Sequence, residues 1–306
     1  MPLHRLTQIT MGVPNVEQTA AYYADFGLVP AATEGRRGGG HGFATVDGGE
    51  QLRIVHSARR RLVRLGIGVD DPDDLDRIAA SLAAIGIRAE RAGDSVTAAD
   101  PGTEVTVRVE IAARVAQRPT PAPSYNAPGA DVRTDERAPG ILREQPVRPR
   151  KLGHVVLGST DKDASQRFFA DGIGFKVSDT VPGIAAFMRC STDHHNVLVQ
   201  QAPVAFLHHT SWQVDDVDEV GRGATAMLEA DPSRHTWGLG RHFIGSWGPP
   251  PPPSFLAPED LGALMTDAHQ APRGSSDVFA PWLRRCGNRK LPCWRARRPC
   301  ASRPRT

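Results

Sequence analysis

Apolar and polar positions follow the same order at several places along the chain. The stretch QITMGVPNVEQTAAYYADFGLVP, from Gln8, opens with an apolar run that ends at Gly12. A polar turn follows, then helix-spaced apolar positions with the aromatic pair Tyr22 and Tyr23. The stretch HVVLGSTDKDASQRFFADGIGFKVSD, from His154, repeats this order, with Gly158 and then Phe168 and Phe169. Each continues with Ala-Asp and a glycine turn, at a constant offset of 146 residues. A second pair lies in RLVRLGIGVDDPDDLDRIAASLAAIGI, from Arg61, and AFLHHTSWQVDDVDEVGRGATAML, from Ala205. Val69-Asp70-Asp71 aligns with Val214-Asp215-Asp216 at an offset of 145, and acids at a helix start suit the helix dipole. Later alternating runs, GFATVDGGEQLRIV and IAAFMRCSTDHHNVLVQ, predict further strands. The chain thus reads as four related units, each a strand, a helix and then more strands.

Between the halves, residues Arg114–Arg150 are rich in Pro, Arg and Ala and predict a linker running over the surface. A length of 306 residues with 40% hydrophobic and 23% charged positions fits a soluble chain of about two domains. No long apolar run predicts a transmembrane helix, and the start MPLHRLTQIT lacks a signal-peptide core, so the expected location is the cytoplasm. The net charge of +3 misleads, because Ala271–Thr306 holds ten Lys/Arg and one acid, Asp277. Without that +9 the remaining chain carries −6, which gives no nucleic-acid footprint. Cys286, Cys293 and Cys300 lie in the same tail at spacings that match no zinc pattern, and Cys190 reads as a small buried apolar residue.

Four βαβββ-like units paired into two domains resemble the vicinal oxygen chelate superfamily. The segments LGHVVLGS, DHHNVLV, LHHTSWQVDDVDEVG and WGLGRHFIGS narrow this to a resemblance with two-domain extradiol ring-cleavage dioxygenases of the catechol 2,3-dioxygenase and dihydroxybiphenyl dioxygenase type, over about residues 5–246. The implied fold class is α+β, with the last unit incomplete. The implied organisation is an N-terminal structural domain (1–113), the linker (114–150), a metal-site domain (151–246), a family-like tail (247–270) and a basic, disordered tail (271–306). The implied activity is meta cleavage of a catechol-type diol by dioxygen, part of aromatic hydrocarbon catabolism, with no nucleic acid or membrane as partner. Self-association into a homo-oligomer is compatible with the resemblance.

In that family the C-terminal domain binds Fe(II), sometimes Mn(II), through two His and one Glu, which leaves one face of the ion open to diol and dioxygen. The resemblance implies His154 and His209 as metal ligands. It implies His195 as the acid–base residue and His242 as the residue that hydrogen-bonds the substrate oxygen. His208 is expected to face away from His209, because side chains alternate along a strand. A lone strand histidine is usually just packed and hydrogen-bonded; four at matching points of a repeat favour a site. The equivalent positions of the first half, Gln8 and Arg64, cannot hold the same metal.

The third ligand should be a Glu on a late strand of the fourth unit. The second unit keeps a turn of the expected kind, Asp100-Pro101-Gly102, before a strand. The fourth unit passes from Ser246 into WGPPPPPSFLAPEDLGALM, and a proline run cannot supply a central strand. Hence no third metal ligand is assigned, and an internal deletion after Ser246 is expected. Glu259 and Asp260 read instead as the start of a capped helix. A second function stays open on this ground: an inactive oxygen-chelate protein that binds a small aromatic ligand.

Overall fold

The computed structural model describes residues 3–31, 40–120, 126–132, 135, 137, 142–231, 236–239 and 243–247. The polar turns ahead of the helical stretches are N-caps. Asn15 accepts from the Gln18 amide at the start of α1 (Val16–Asp25). Asp71 caps α2 (Pro72–Ala84), whose first residue is the proline that position tolerates best. Asp161 caps α3 (Lys162–Arg167), and Asp216 caps α4 (Val217–Ala230) through the Glu219 amide. In each, a short side-chain oxygen satisfies an amide that the helix itself leaves unpaired. A π-helical turn, Phe168–Ile173, extends α3 and ends on Gly174 with φ of +98°, a conformation that suits glycine.

Two mixed sheets carry the chain. The first comprises β1 (Arg5–Val13), β2 (Val29–Pro30), β3 (His41–Thr45), β4 (Gly49–His56), β5 (Arg61–Val69), β6 (Ala89–Ala92), β7 (Ser95–Ala99) and β8 (Thr106–Ile111), in the order β2-β3-β4-β1-β5-β8-β7-β6. The second comprises β9 (Lys151–Ser159), β10 (Lys176–Val181), β11 (Ala185–Arg189), β12 (Val197–Gln201), β13 (Phe206–Gln213), β14 (Thr236–Leu239) and β15 (Phe243–Trp247), in the order β10-β11-β12-β9-β13-β15-β14. The central pairs β1–β5 and β9–β13 are antiparallel, while β1–β4 and β9–β12 are parallel. The fold is α+β with two sheets, as expected.

The two sheets differ beside their central pair. β8 lies next to β5 and runs parallel to it. β15 takes the corresponding slot next to β13, but runs antiparallel, pairing His209 with Trp247 and Gln213 with Phe243. Hairpins reverse the chain at each step. Three strands after the helix therefore bring the last one back parallel, and two bring it back antiparallel. The strand also runs through Trp247, one residue past the break expected at Ser246.

The main core packs the helices against both sheets and includes Tyr23, Leu75, Phe168, Phe169 and Trp212. A second cluster, Val156, Ala185, Phe187 and Leu198, lies apart from it. β9 is buried along nearly its whole length, so its side chains face apolar surroundings on both sides. The halves are joined by specific contacts. The Leu152 amide donates to Gln51 Oε1 at 2.7 Å, the Arg150 guanidinium donates to Asp47 Oδ2 at 2.6 Å, and the Asp100 carboxylate accepts from Ser165 Oγ at 2.9 and 3.0 Å. Among the described residues no helix is long and apolar enough to cross a membrane.

Candidate metal centre

β9 and β13 run side by side, and their register sets Val156 opposite His209 and Ser211 opposite His154. Residues opposite one another on paired strands share a face, so His154 and His209 meet diagonally across the sheet. Their Nε2 atoms stand 3.2 Å apart. Both side chains are buried. His195 comes from the loop between β11 and β12, is also buried, and lays its ring 4.2 Å from that of His154 at 34°. The structure therefore brings three of the four sequence-expected histidines together. The fourth, His242, lies outside the described residues, as does most of the stretch from Trp247 onward.

Asn196 builds the loop that carries His195. Its side-chain oxygen accepts from the Cys190 amide at 2.9 Å, from the Ser191 amide at 3.1 Å and from Ser191 Oγ at 3.0 Å. Its side-chain nitrogen donates to the Gly153 carbonyl at 3.0 Å, next to His154. One buried amide thus ties the loop to β9. Cys190, beneath it, is fully buried, and that burial pushes its thiol well up. Such a thiol is inert and no metal ligand at neutral pH.

His208 behaves differently from the alternation rule. The β9–β13 register shifts between Leu207 and His209, and His208 Nδ1 stands 2.8 Å from His209 Nδ1. Burial, and next the charge of Arg60, lowers His208 to about 4, so it is neutral at physiological pH. Burial also drives His209 well below the usual imidazole range, with His208, His195 and Arg60 adding to the effect. A neutral His208 can accept a proton held on His209 Nδ1, which leaves His209 Nε2 as a lone pair facing His154. Arg60, from the β4–β5 connection, is itself lowered by burial and hydrogen-bonds Tyr23 of the first half. Sequence reading missed Asn196 and Arg60. The asparagine after an alternating run was the one available signal, as a residue that bonds local backbone; Arg60 gave none.

The wall beside the histidines is apolar. Phe187 sets its ring 5.2 Å from His195 at 86° and 5.8 Å from His194, within the cluster with Val156, Ala185 and Leu198. A flat aromatic ligand suits such a wall. The imidazole pair also suits a metal. Two imidazole nitrogens at adjacent positions of one ion, with bonds of about 2.1 Å, stand about 3.0 Å apart, close to the observed 3.2 Å. Neutral imidazoles are fitting ligands for Fe(II) or Mn(II). Among the described residues, however, no group of three or more His, Cys, Asp or Glu could hold a metal ion. The pair fits the ion; a carboxylate to complete the triad is not among the described residues.

The family model described as Glyoxalase/Bleomycin resistance protein/Dioxygenase superfamily matches residues 151–256. Over 261 residues the chain is 30% identical to metapyrocatechase 2 of Cupriavidus necator, covering 80% of this chain and 75% of that one. Among solved structures it resembles the Mn(II)-bound glyoxalase from Novosphingobium aromaticivorans, at 24% identity over 78% of this chain and 74% of that chain, with a TM-score of 0.57. It also resembles the 2,3-dioxygenase LapB from Pseudomonas sp. KL28, at 18% identity over 84% and 96%, with a TM-score of 0.58. These two likenesses show the fold.

Proposed function

The chain belongs to the glyoxalase/bleomycin resistance protein/dioxygenase superfamily, among relatives that are extradiol dioxygenases, and from that premise we propose that its second sheet carries a centre for Fe(II)-dependent extradiol cleavage of a catechol-type diol. The observation that carries this reading is the 3.2 Å approach of His154 Nε2 to His209 Nε2 on adjacent strands. In the proposal these two atoms hold Fe(II), with Mn(II) as the other suitable ion, and the ion supplies a place where diol and dioxygen meet. His208 holds His209 in the required tautomer. His195 takes a proton from the diol at a ring nitrogen and returns it, and His242 hydrogen-bonds the substrate oxygen. Phe187 and its apolar neighbours receive the ring and exclude water.

The third ligand is absent in this reading, and the slot next to β13 supports that. Among the described residues, where β8 lies parallel to β5 the antiparallel β15 fills the slot beside β13, the direction expected of a unit one strand short. Two imidazoles leave the charge of the ion unneutralised, so iron is held weakly. That same observation favours a second reading, an inactive member that binds a small aromatic ligand. Anaerobic loading with excess Fe(II), then a catechol and air, separates the two. The proposal expects a yellow ring-fission product that vanishes in His154→Ala and His209→Ala. A folded, iron-loaded chain that binds the catechol and yields no product leaves the second reading in its place.

A further inference from the structure

The repeat sets one row of the first sheet against the row of the second that carries the histidine centre. In the second sheet, register places Phe187, Leu198, Val156 and His209 side by side on β11, β12, β9 and β13. These are one imidazole of the centre and the apolar wall beside it. In the first sheet the same steps give Gly42 on β3, Arg53 on β4, Thr10 on β1 and Arg64 on β5, and the row continues to Thr106 on β8. Residues opposite one another on paired strands share a face. Wall and imidazole are thus replaced by two guanidiniums that flank a hydroxyl.

Among the described residues, the side chains of Arg53, Thr10, Arg64 and Thr106 make no hydrogen bond or ion pair. All four can be reached from solvent. Arg64 is exposed and the others are half-buried. Arg53 has its Nε sealed, but its Nη1 and Nη2 are open, as are the two threonine hydroxyls. Other arginines of this sheet have taken partners: Arg61 lies 3.7 Å from Glu104, and Arg108 3.0 Å from Glu110. The neighbouring acids are engaged too. Glu110 accepts from Thr7 Oγ1 at 2.8 Å, and Glu50, whose carboxylate lies over Gly42, accepts from Gln8 Nε2 at 2.9 Å. Glu50 thereby closes the β3 end of the row and leaves the positive stretch between β4 and β8.

We propose that this row is an anion site, where Arg53 and Arg64 close on the phosphate group of a small molecule above Thr10. Two strand spacings, about 10 Å, separate the Cα atoms of the two arginines, so their long side chains reach one anion from opposite sides. A carboxylate has two oxygens and fills one guanidinium fork. A phosphate offers three terminal oxygens, which serve both forks and a threonine hydroxyl, and its charge of about −2 matches the two arginines. Free phosphate and the phosphate of an organic ester share this chemistry. The site lies on the half without the imidazoles and does not depend on the chemistry proposed for them.

The probes are inorganic phosphate, phenyl phosphate and acetate, titrated against the full chain without added metal and followed by calorimetry and amide chemical shifts. The better-bound phosphate is expected to bind at least about tenfold more tightly than acetate, with shifts centred on the Thr10, Arg53 and Arg64 amides. Arg53→Gln and Arg64→Gln are each expected to weaken it about tenfold. Arg91→Gln, which removes a guanidinium paired with Asp76, is expected to leave it unchanged. Phenyl phosphate binding more tightly than phosphate assigns the site to an organic ester; equal or weaker binding assigns it to the free ion. The proposal is overturned by acetate binding as tightly as both phosphates, by phosphate affinity that ignores both variants, as capture by the basic tail would give, or by amide shifts in the unaltered chain that bypass β1, β4 and β5.

Discussion

Asn196 shows how much of the centre depends on a residue with no chemistry of its own. Its amide closes the Cys190–Asn196 loop and anchors it to Gly153, so His195 is delivered beside His154 by four hydrogen bonds. Asn196→Ala leaves buried backbone groups unpaired, and is expected to lower stability by about 3 kcal/mol. Urea unfolding with an unchanged m-value would check this; a change under about 0.5 kcal/mol would refute the role. That His154, His195 and His209 come together was legible, because the repeat and the family-like segments set them at matching points; His242 lies outside the described residues. The environment of His208 was not legible. Alternation says which face a side chain takes, but the shift at Leu207 is a property of the partner strand's register and leaves no local mark.

At the scale of elements, the helices were legible from their apolar spacing and from the polar turns ahead of them, which the structure resolves into the caps Asn15, Asp71, Asp161 and Asp216. The direction of β15 was not, because hydrophobic alternation says nothing about which strand lies alongside. The turn between β7 and β8 illustrates a contact of the same kind. Asp100 is buried and accepts from Thr103 Oγ1 at 2.5 Å and from Ser165 of α3. Burial raises its carboxyl above the usual value despite these bonds. Between the usual value and the raised one, the folded chain therefore binds a proton that the unfolded chain does not. Stability from this group rises as pH falls through that window and is lost as pH rises through it. Asp100→Asn should remove that part of the pH dependence of the urea midpoint; an unchanged profile would contradict the account. Ser165→Ala, which withdraws the hydroxyl shared between the two Asp100 oxygens, should cost about 1–3 kcal/mol at neutral pH.

Across the whole molecule, the repeat disclosed two similar halves, and the halves behave as partners rather than as beads on a linker. Gln51 of β4 accepts the Leu152 amide of β9 while donating to the Leu6 carbonyl at 3.1 Å. Arg150 reaches Asp47 in one half and Asp215 in the other. The segment expected as a surface linker contributes buried Val147 and the Arg143–Asp216 pair at 2.5 and 2.8 Å. Composition marked that segment as irregular but could not show where it docks. Gln51→Ala orphans a buried amide at the joint and should cost about 1–3 kcal/mol. The two halves should still melt in one transition; two separated transitions in the unaltered chain would contradict a shared core.

The central proposal is that His154 and His209 act as two imidazole ligands of a centre with no carboxylate to complete it. Iron content before and after gel filtration, on protein loaded anaerobically with excess Fe(II), tests it most directly. The account predicts iron that binds in the presence of excess metal, depends on His154 and His209, and is lost on the column. One equivalent per chain surviving gel filtration, or iron binding that ignores both histidines, would contradict it.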